Sequence, residues 1–136
     1  MKDLHNNIKV SRVLSPVSVA DNTAQVGEII DNQGFDSLEY AIAIGSVADA
    51  DATFAVLLEE SDAANMDNSN AVADADLLGT EDLAGFKFDD DNKVRKLGYI
   101  GTKRYTRLTI TPAGNASAAL ISAVAVQSHA SVRPVA

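Results

Sequence analysis

Lys93-Val-Arg-Lys-Leu-Gly-Tyr-Ile-Gly-Thr-Lys-Arg-Tyr-Thr-Arg-Leu-Thr-Ile-Thr111 is the stretch that sets the class of this chain. Two runs with the alternation of strands flank Gly101-Thr102-Lys103, and the pattern predicts a β-hairpin with a three- to four-residue loop. Within Arg104–Thr111, side chains alternate: Thr106, Leu108 and Ile110 are expected in a core, and Tyr105, Arg107 and Thr109 on the opposite face. The same stretch holds Lys93, Arg95, Lys96, Lys103, Arg104 and Arg107, six of the chain's 11 Lys and Arg residues, in a protein of net charge −8. It is therefore both a fold signal and a charge asymmetry.

Strand patterns continue on either side. In Ser37–Ile44, Leu38, Tyr40, Ile42 and Ile44 share one face and Glu39, Ala41 and Ala43 the other. In Phe54–Glu60, Phe54, Val56 and Leu58 alternate, while Leu57 breaks the pattern and predicts burial on both sides. In Ala119–Gln127, Leu120, Ser122, Val124 and Val126 oppose Ile121, Ala123 and Ala125. Val17–Ala20, Ala24–Ile30 and Gly85–Phe88 are shorter candidates, and residues 61–83 form a long polar connection with one short element. Turn clusters such as Asp31-Asn32-Gln33-Gly34 and Asp89-Asp90-Asp91-Asn92 separate the runs. About eight short strands with at most one short helical turn predict an all-β protein, an antiparallel β-sandwich of jelly-roll-like form. Alanine is depleted in strands, but here it alternates with larger apolar residues, which suits closely packed sheet faces.

At 136 residues the chain predicts one domain, residues 17–136, preceded by residues 1–16 as an amino-terminal arm or edge strand. Pro16 fits an edge and not a central strand. There is no cysteine, so thiol and disulfide chemistry are excluded. The start lacks the apolar core of a signal peptide, and no apolar run approaches the ~20 residues of a membrane-spanning helix. The expectation is a soluble protein with no membrane partner. The acidic balance argues against a general nucleic-acid binder. Tyr99 and Tyr105 among the basic residues have the chemistry to stack on bases, but pairing of those cations with the chain's own carboxylates or with a partner subunit is the favoured expectation.

Catalytic and metal patterns are weak. Asp74-Ala-Asp76-Leu-Leu-Gly79 opens like a calcium loop, yet Leu78 and Gly85 stand where oxygen ligands are required. His5 and His129 lie near opposite ends with no ligand partner at metal-binding spacing. No nucleotide or nucleophile fingerprint is present. The sequence predicts no enzyme, no cofactor and no metal, while a loop-bound calcium stays open.

Several segments together resemble a family of small structural proteins encoded among the head genes of tailed bacteriophages. They are Gly27-Glu-Ile-Ile-Asp-Asn-Gln-Gly34, Leu38-Glu-Tyr-Ala-Ile-Ala-Ile-Gly45, Ala50-Asp-Ala-Thr-Phe-Ala-Val-Leu-Leu-Glu-Glu-Ser-Asp62, Asp76-Leu-Leu-Gly-Thr-Glu81, residues 94–111 and the ending His129…Arg133-Pro-Val135. The resemblance covers residues 24–136 and rests on the combination. It implies a virion structural protein, made in the host cytoplasm. The expectation built on it is a decoration (cement) protein on the outer head surface that bridges major capsid protein subunits as a homotrimer. Ile8, Val10, Val13 and Leu14 are the expected capsid contacts, in an arm whose loss should leave the domain folded. Lys103, Arg104, Tyr105 and Arg107 are the expected subunit interface. Another virion position (head–tail connector or tail protein) and a carbohydrate- or host-surface-binding jelly-roll module are the alternatives, the latter poorly served by a chain without Trp.

Overall fold

The computed structural model describes residues 2–135. Eleven strands form two antiparallel sheets: β1 (Lys9–Val19), β2 (Gln25–Val26), β3 (Ile30–Asp31), β4 (Phe35–Val47), β5 (Thr53–Ser61), β6 (Asn70–Ala71), β7 (Leu77–Leu78), β8 (Phe86–Lys87), β9 (Val94–Tyr99), β10 (Tyr105–Ala113) and β11 (Ala119–Ala130). The first sheet runs β1-β11-β4-β9-β7. In the second, β10 lies beside β5, with β2 and β3 on the free edge of β10 and β6 and β8 on that of β5. Six strands are long and five are two-residue fragments. Taking β2 with β3, and β6 with β8, as broken edge strands leaves eight positions plus the extra β7. Their order is then 1-8-3-6 against 2-7-4-5, the wiring of a jelly roll. Besides three short 3₁₀ turns, one helical turn α1 (Glu81–Ala84) sits in the long connection, its Leu83 N–H capped by Thr80 Oγ1 at 3.0 Å. No helix among the described residues is long and apolar enough to cross a membrane, which does not bear on crossing by strands.

The core is the space between the sheets. Leu38, Tyr40, Ile42 and Ile44 of β4 face Phe54, Val56 and Leu58 of β5 and Thr106, Leu108 and Ile110 of β10, and all are buried. The alanines of β11 find their reason here: Ala119, Ala123 and Ala125 point inward and are buried, leaving room for the larger side chains opposite. Phe54 and Phe86 stack with ring centroids 4.7 Å apart.

Residues 93–111 are not a hairpin. β9 pairs with β4 and β7 in the first sheet, and β10 pairs with β5, β2 and β3 in the second. Residues 100–104 cross between them at one end of the sandwich. The crossing folds over Tyr99: the Lys103 N–H donates to Tyr99 Oη at 3.0 Å, and a Cβ on Gly101 would stand 2.6 Å from the ring's Cζ. Period-two alternation says that Leu97, Leu108 and Ile110 are buried. It does not say whether their faces share a sheet or look at each other across a core.

Of the two amino-terminal expectations, arm or edge strand, the structure has the edge strand. Lys9–Val19 is one strand at the edge of the first sheet, paired along β11, with bulges between Arg12 and Leu14 and between Leu14 and Val17. Pro16 lies in the second irregularity, where a missing N–H costs no ladder bond. Residues 9–16 are thus continuous with 17–19 as part of the sandwich, and Val13 and Leu14 are core residues with 1% and 8% exposure. Leu57, expected to be buried on both sides, is 39% exposed on the outer face of β5.

Candidate interaction surfaces

Of the six basic residues of 93–107, Arg95 and Lys96 lie on β9, Arg107 lies on β10, and Lys93, Lys103 and Arg104 lie in the adjoining turns; five of the six meet a carboxylate of the same chain. Arg95 Nη2 and Lys93 Nζ reach Asp90 Oδ1 at 2.6 and 3.2 Å. Lys103 Nζ reaches Asp62 Oδ2 at 2.9 Å, and Arg107 Nη2 reaches Glu59 Oε1 at 3.3 Å. Arg104 makes a two-pronged contact, Nε and Nη2 each 2.9 Å from the two oxygens of Asp31, with its guanidinium 4.9 Å from the Tyr105 ring centre. The Arg104 hydrogen bond holds the Asp31 carboxyl below the usual range, and the Lys103 hydrogen bond does the same for Asp62. Lys103, Arg104, Tyr105 and Arg107 do come together, along the start of β10, but their cations are already matched within the domain. Tyr99 is buried, so Tyr99 and Tyr105 do not form an exposed stacking pair.

The four residues expected at a capsid surface separate. Ile8 is half-buried and Val10 is 58% exposed, while Val13 and Leu14 point into the core and have no surface to offer. Only the outward part of that set remains a contact candidate.

The carboxylates that invited acid–base or metal readings act mostly as turn formers. Asp90 turns inward and accepts from the Lys87 N–H at 3.0 Å as well as from Lys93 and Arg95. Burial pushes its carboxyl upward, but these three donors outweigh that and hold it below the ordinary range. Asp91 accepts from the Val47 N–H at 2.9 Å, and Asp49 from the N–H groups of Asp51 and Ala116 at 2.9 and 2.8 Å. Among the described residues no group of three or more His, Asp or Glu side chains is placed to hold a metal ion. His129 Nδ1 lies 2.5 Å from Ser37 Oγ at the exposed end of β11, and its backbone takes φ +52°.

One surface was missed in the sequence. The outward residues of the first sheet form lateral rows: Val10–Val126–Glu39–Gly98–Leu78, then Arg12–Val124–Ala41–Lys96, then Ser122–Ala43–Val94. Val10, Leu120, Val124, Val94 and Leu78 are all exposed. An outer sheet face in water normally alternates to polar residues. The signal was present in Ala119–Gln127, whose two faces are both largely apolar. Glu39 lies across this face, its Oε2 2.6 Å from where a Gly98 Cβ would stand. Burial there raises its carboxyl above the ordinary range, opposed by the nearby Lys96.

No family model matches the sequence, and no curated protein matches it either. The chain is similar to several solved structures. The PBSX exported protein XepA superimposes with a TM-score of 0.56 at 15% identity, over 100% of this chain and 41% of that one. The chain thus spans about two-fifths of XepA. The CBM22-1–GH10 modules of xylanase 10B from Clostridium thermocellum give 0.47 at 12% identity, over 97% of this chain and 28% of that one. A Bacillus endospore appendage protein gives 0.41 at 12%, over 96% and 98%. At such identities the likeness is one of fold, and nothing is built on the two scores under 0.5. The class defined is an antiparallel jelly-roll-type sandwich, a fold shared with part of the PBSX exported protein XepA.

Proposed function

We propose that this chain is a structural component of a tailed-phage virion, and within that class a decoration protein of the head. One observation carries the reading: the resemblance of residues 24–136 to phage head proteins falls on a chain whose whole length shares its fold with part of a PBSX protein. The work assigned to it is binding, not catalysis. A protein that binds the assembled shell and not its loose subunits stabilises the shell by mass action. Attachment uses the exposed side of β1, where Ile8 precedes and Val10 lies within the free sheet edge at Lys9–Arg12. Pairing of that edge with a strand of the major capsid protein is the mode proposed. A trimer would need two different patches to meet. Lys103, Arg104 and Arg107 are matched inside the domain, so they are assigned no trimer contact.

The test is to sediment the purified chain with empty shells of its phage's major capsid protein and to measure shell melting. Saturable binding with raised melting supports decoration. Binding confined to a single vertex of the shell points to a connector, and no binding removes the proposal.

A further inference from the structure

We propose that the outer face of the first sheet is where two copies of this chain meet, face to face about a two-fold axis passing between Glu39 and Lys96. The inference stands on this face alone and does not depend on the virion reading.

Charge favours a second copy as the occupant. The chain has net charge −8, so two copies repel over most of their surface. The rows of this face carry only Glu39, Lys96 and Arg12, and Arg12 also contacts Glu28 at 3.3 Å. It is a near-neutral patch on an acidic protein. Glu39 and Lys96 sit on adjacent strands one step apart, since Glu39 pairs with Gly98 and Ala41 with Lys96. A flat face turned over about an axis bisecting two such residues sets each Glu39 over the other copy's Lys96, giving two reciprocal ion pairs. The Glu39 carboxylate makes no hydrogen bond within the described residues and is free to accept.

Shape fits the same pairing. Ala41, Ala43, Gly45, Gly98 and Ser122 form a low strip, and Leu120 leans over Gly45, its Cβ 3.0 Å from where a Cβ on that glycine would stand. Val124 and Leu120 on one side and Val94 and Leu78 on the other stand above the strip. About the axis between Glu39 and Lys96 the register brings Val124 close to the partner's Val124 and Leu78 close to the partner's Leu78, so apolar contacts flank the two ion pairs. Five strands at about 4.8 Å spacing and about six residues of length give roughly 400 Å² of flat face per copy. That is about 800 Å² in total, below the ~1,200 Å² of a stable specific interface, and predicts a weak, transient dimer, one seen at high protein concentration.

Sedimentation equilibrium of the full chain from about 10 µM to about 1 mM, the range of a weak contact, tests it, with Glu39→Lys and Lys96→Glu as probes. The wild type should show a monomer–dimer equilibrium. Each single variant should weaken the dimer by about ten-fold or more in Kd, because like charges now face each other. An equimolar mixture of the two variants should associate again. One copy then presents lysine at both paired positions and the other glutamate at both, so every facing pair is of opposite sign. Val124→Asp, with circular dichroism to check folding, should abolish association without touching the pair. A wild type monomeric throughout, or a dimer indifferent to all three changes, overturns the proposal.

Discussion

Tyr40 Oη and Thr106 Oγ1 lie 2.6 Å apart across the middle of the core, one from each sheet, both fully buried. Tyr40 comes from β4 and Thr106 from β10, so this hydrogen bond ties the two sheets within a largely apolar interior. Burial raises the Tyr40 hydroxyl's pKa further above its ordinary value, the Thr106 bond opposing, so it stays protonated. Tyr40→Phe leaves the threonine oxygen without a partner, and Thr106→Val leaves the phenol; each is expected to cost about 1–3 kcal/mol. The double variant removes both polar groups and should cost less than the sum of the singles. Urea unfolding of the four proteins measures the coupling.

Asp90 gives the domain an acid-sensitive tie. Its carboxyl is held below the ordinary 3.8, so the ionised form belongs to the folded state. The stability it adds is fully present above the ordinary aspartate range and is lost as pH falls through the lowered value. Asp90→Asn should lower stability by about 1.5–3 kcal/mol at pH 7. The gap between wild type and variant should close as pH falls below 3.8, followed by thermal melts across that range.

Glu39 works with the opposite sign. Its carboxyl is raised above the ordinary 4.5, chiefly by burial, so ionisation favours the unfolded chain. Glu39→Gln should raise the melting temperature of the dilute monomer at pH 7. The advantage should vanish as pH falls below 4.5, where the wild-type carboxyl is protonated in both states.

Truncations separate the tail from the fold. Removing residues 2–7 takes away a short 3₁₀ turn with no buried residue and should leave melting nearly unchanged. Removing 1–14 deletes the longer of the two paired parts of β1, with Val13 and Leu14. Two buried side chains of this size are worth about 1.5–3 kcal/mol each, and the exposed edge of β11 adds to the loss. Against a total of about 5–15 kcal/mol the expected product is unfolded or aggregated, as read by circular dichroism and solubility.

The inner faces were legible in the sequence because alternation and burial are the same fact. Leu38 to Ile44, Phe54 to Leu58 and Thr106 to Ile110 are buried on the faces their pattern requires. Sheet membership was not legible. β9 and β10 belong to different sheets, yet the crossing at 100–104 between them has the glycine and polar residues of a hairpin loop. Of arm and edge strand, the pattern left the choice open because Arg12, Ser15 and Pro16 interrupt it at bulges of an edge strand, where alternation fails although pairing continues. The basic cluster was legible as a charge feature. Its partners were not, because Asp62, Asp31 and Glu59 lie 41, 73 and 48 residues from Lys103, Arg104 and Arg107, beyond any local pattern. The apolar outer face needed the lateral register, which places Val10, Val124 and Val94 on one plane.

Co-sedimentation of the chain with assembled and with disassembled major capsid protein tests the decoration role most directly. The predicted result is saturable binding to shells, none to free subunits, and loss of shell binding in Val10→Asp with folding intact. Equal binding to free subunits, or no binding to shells at any concentration, would contradict it.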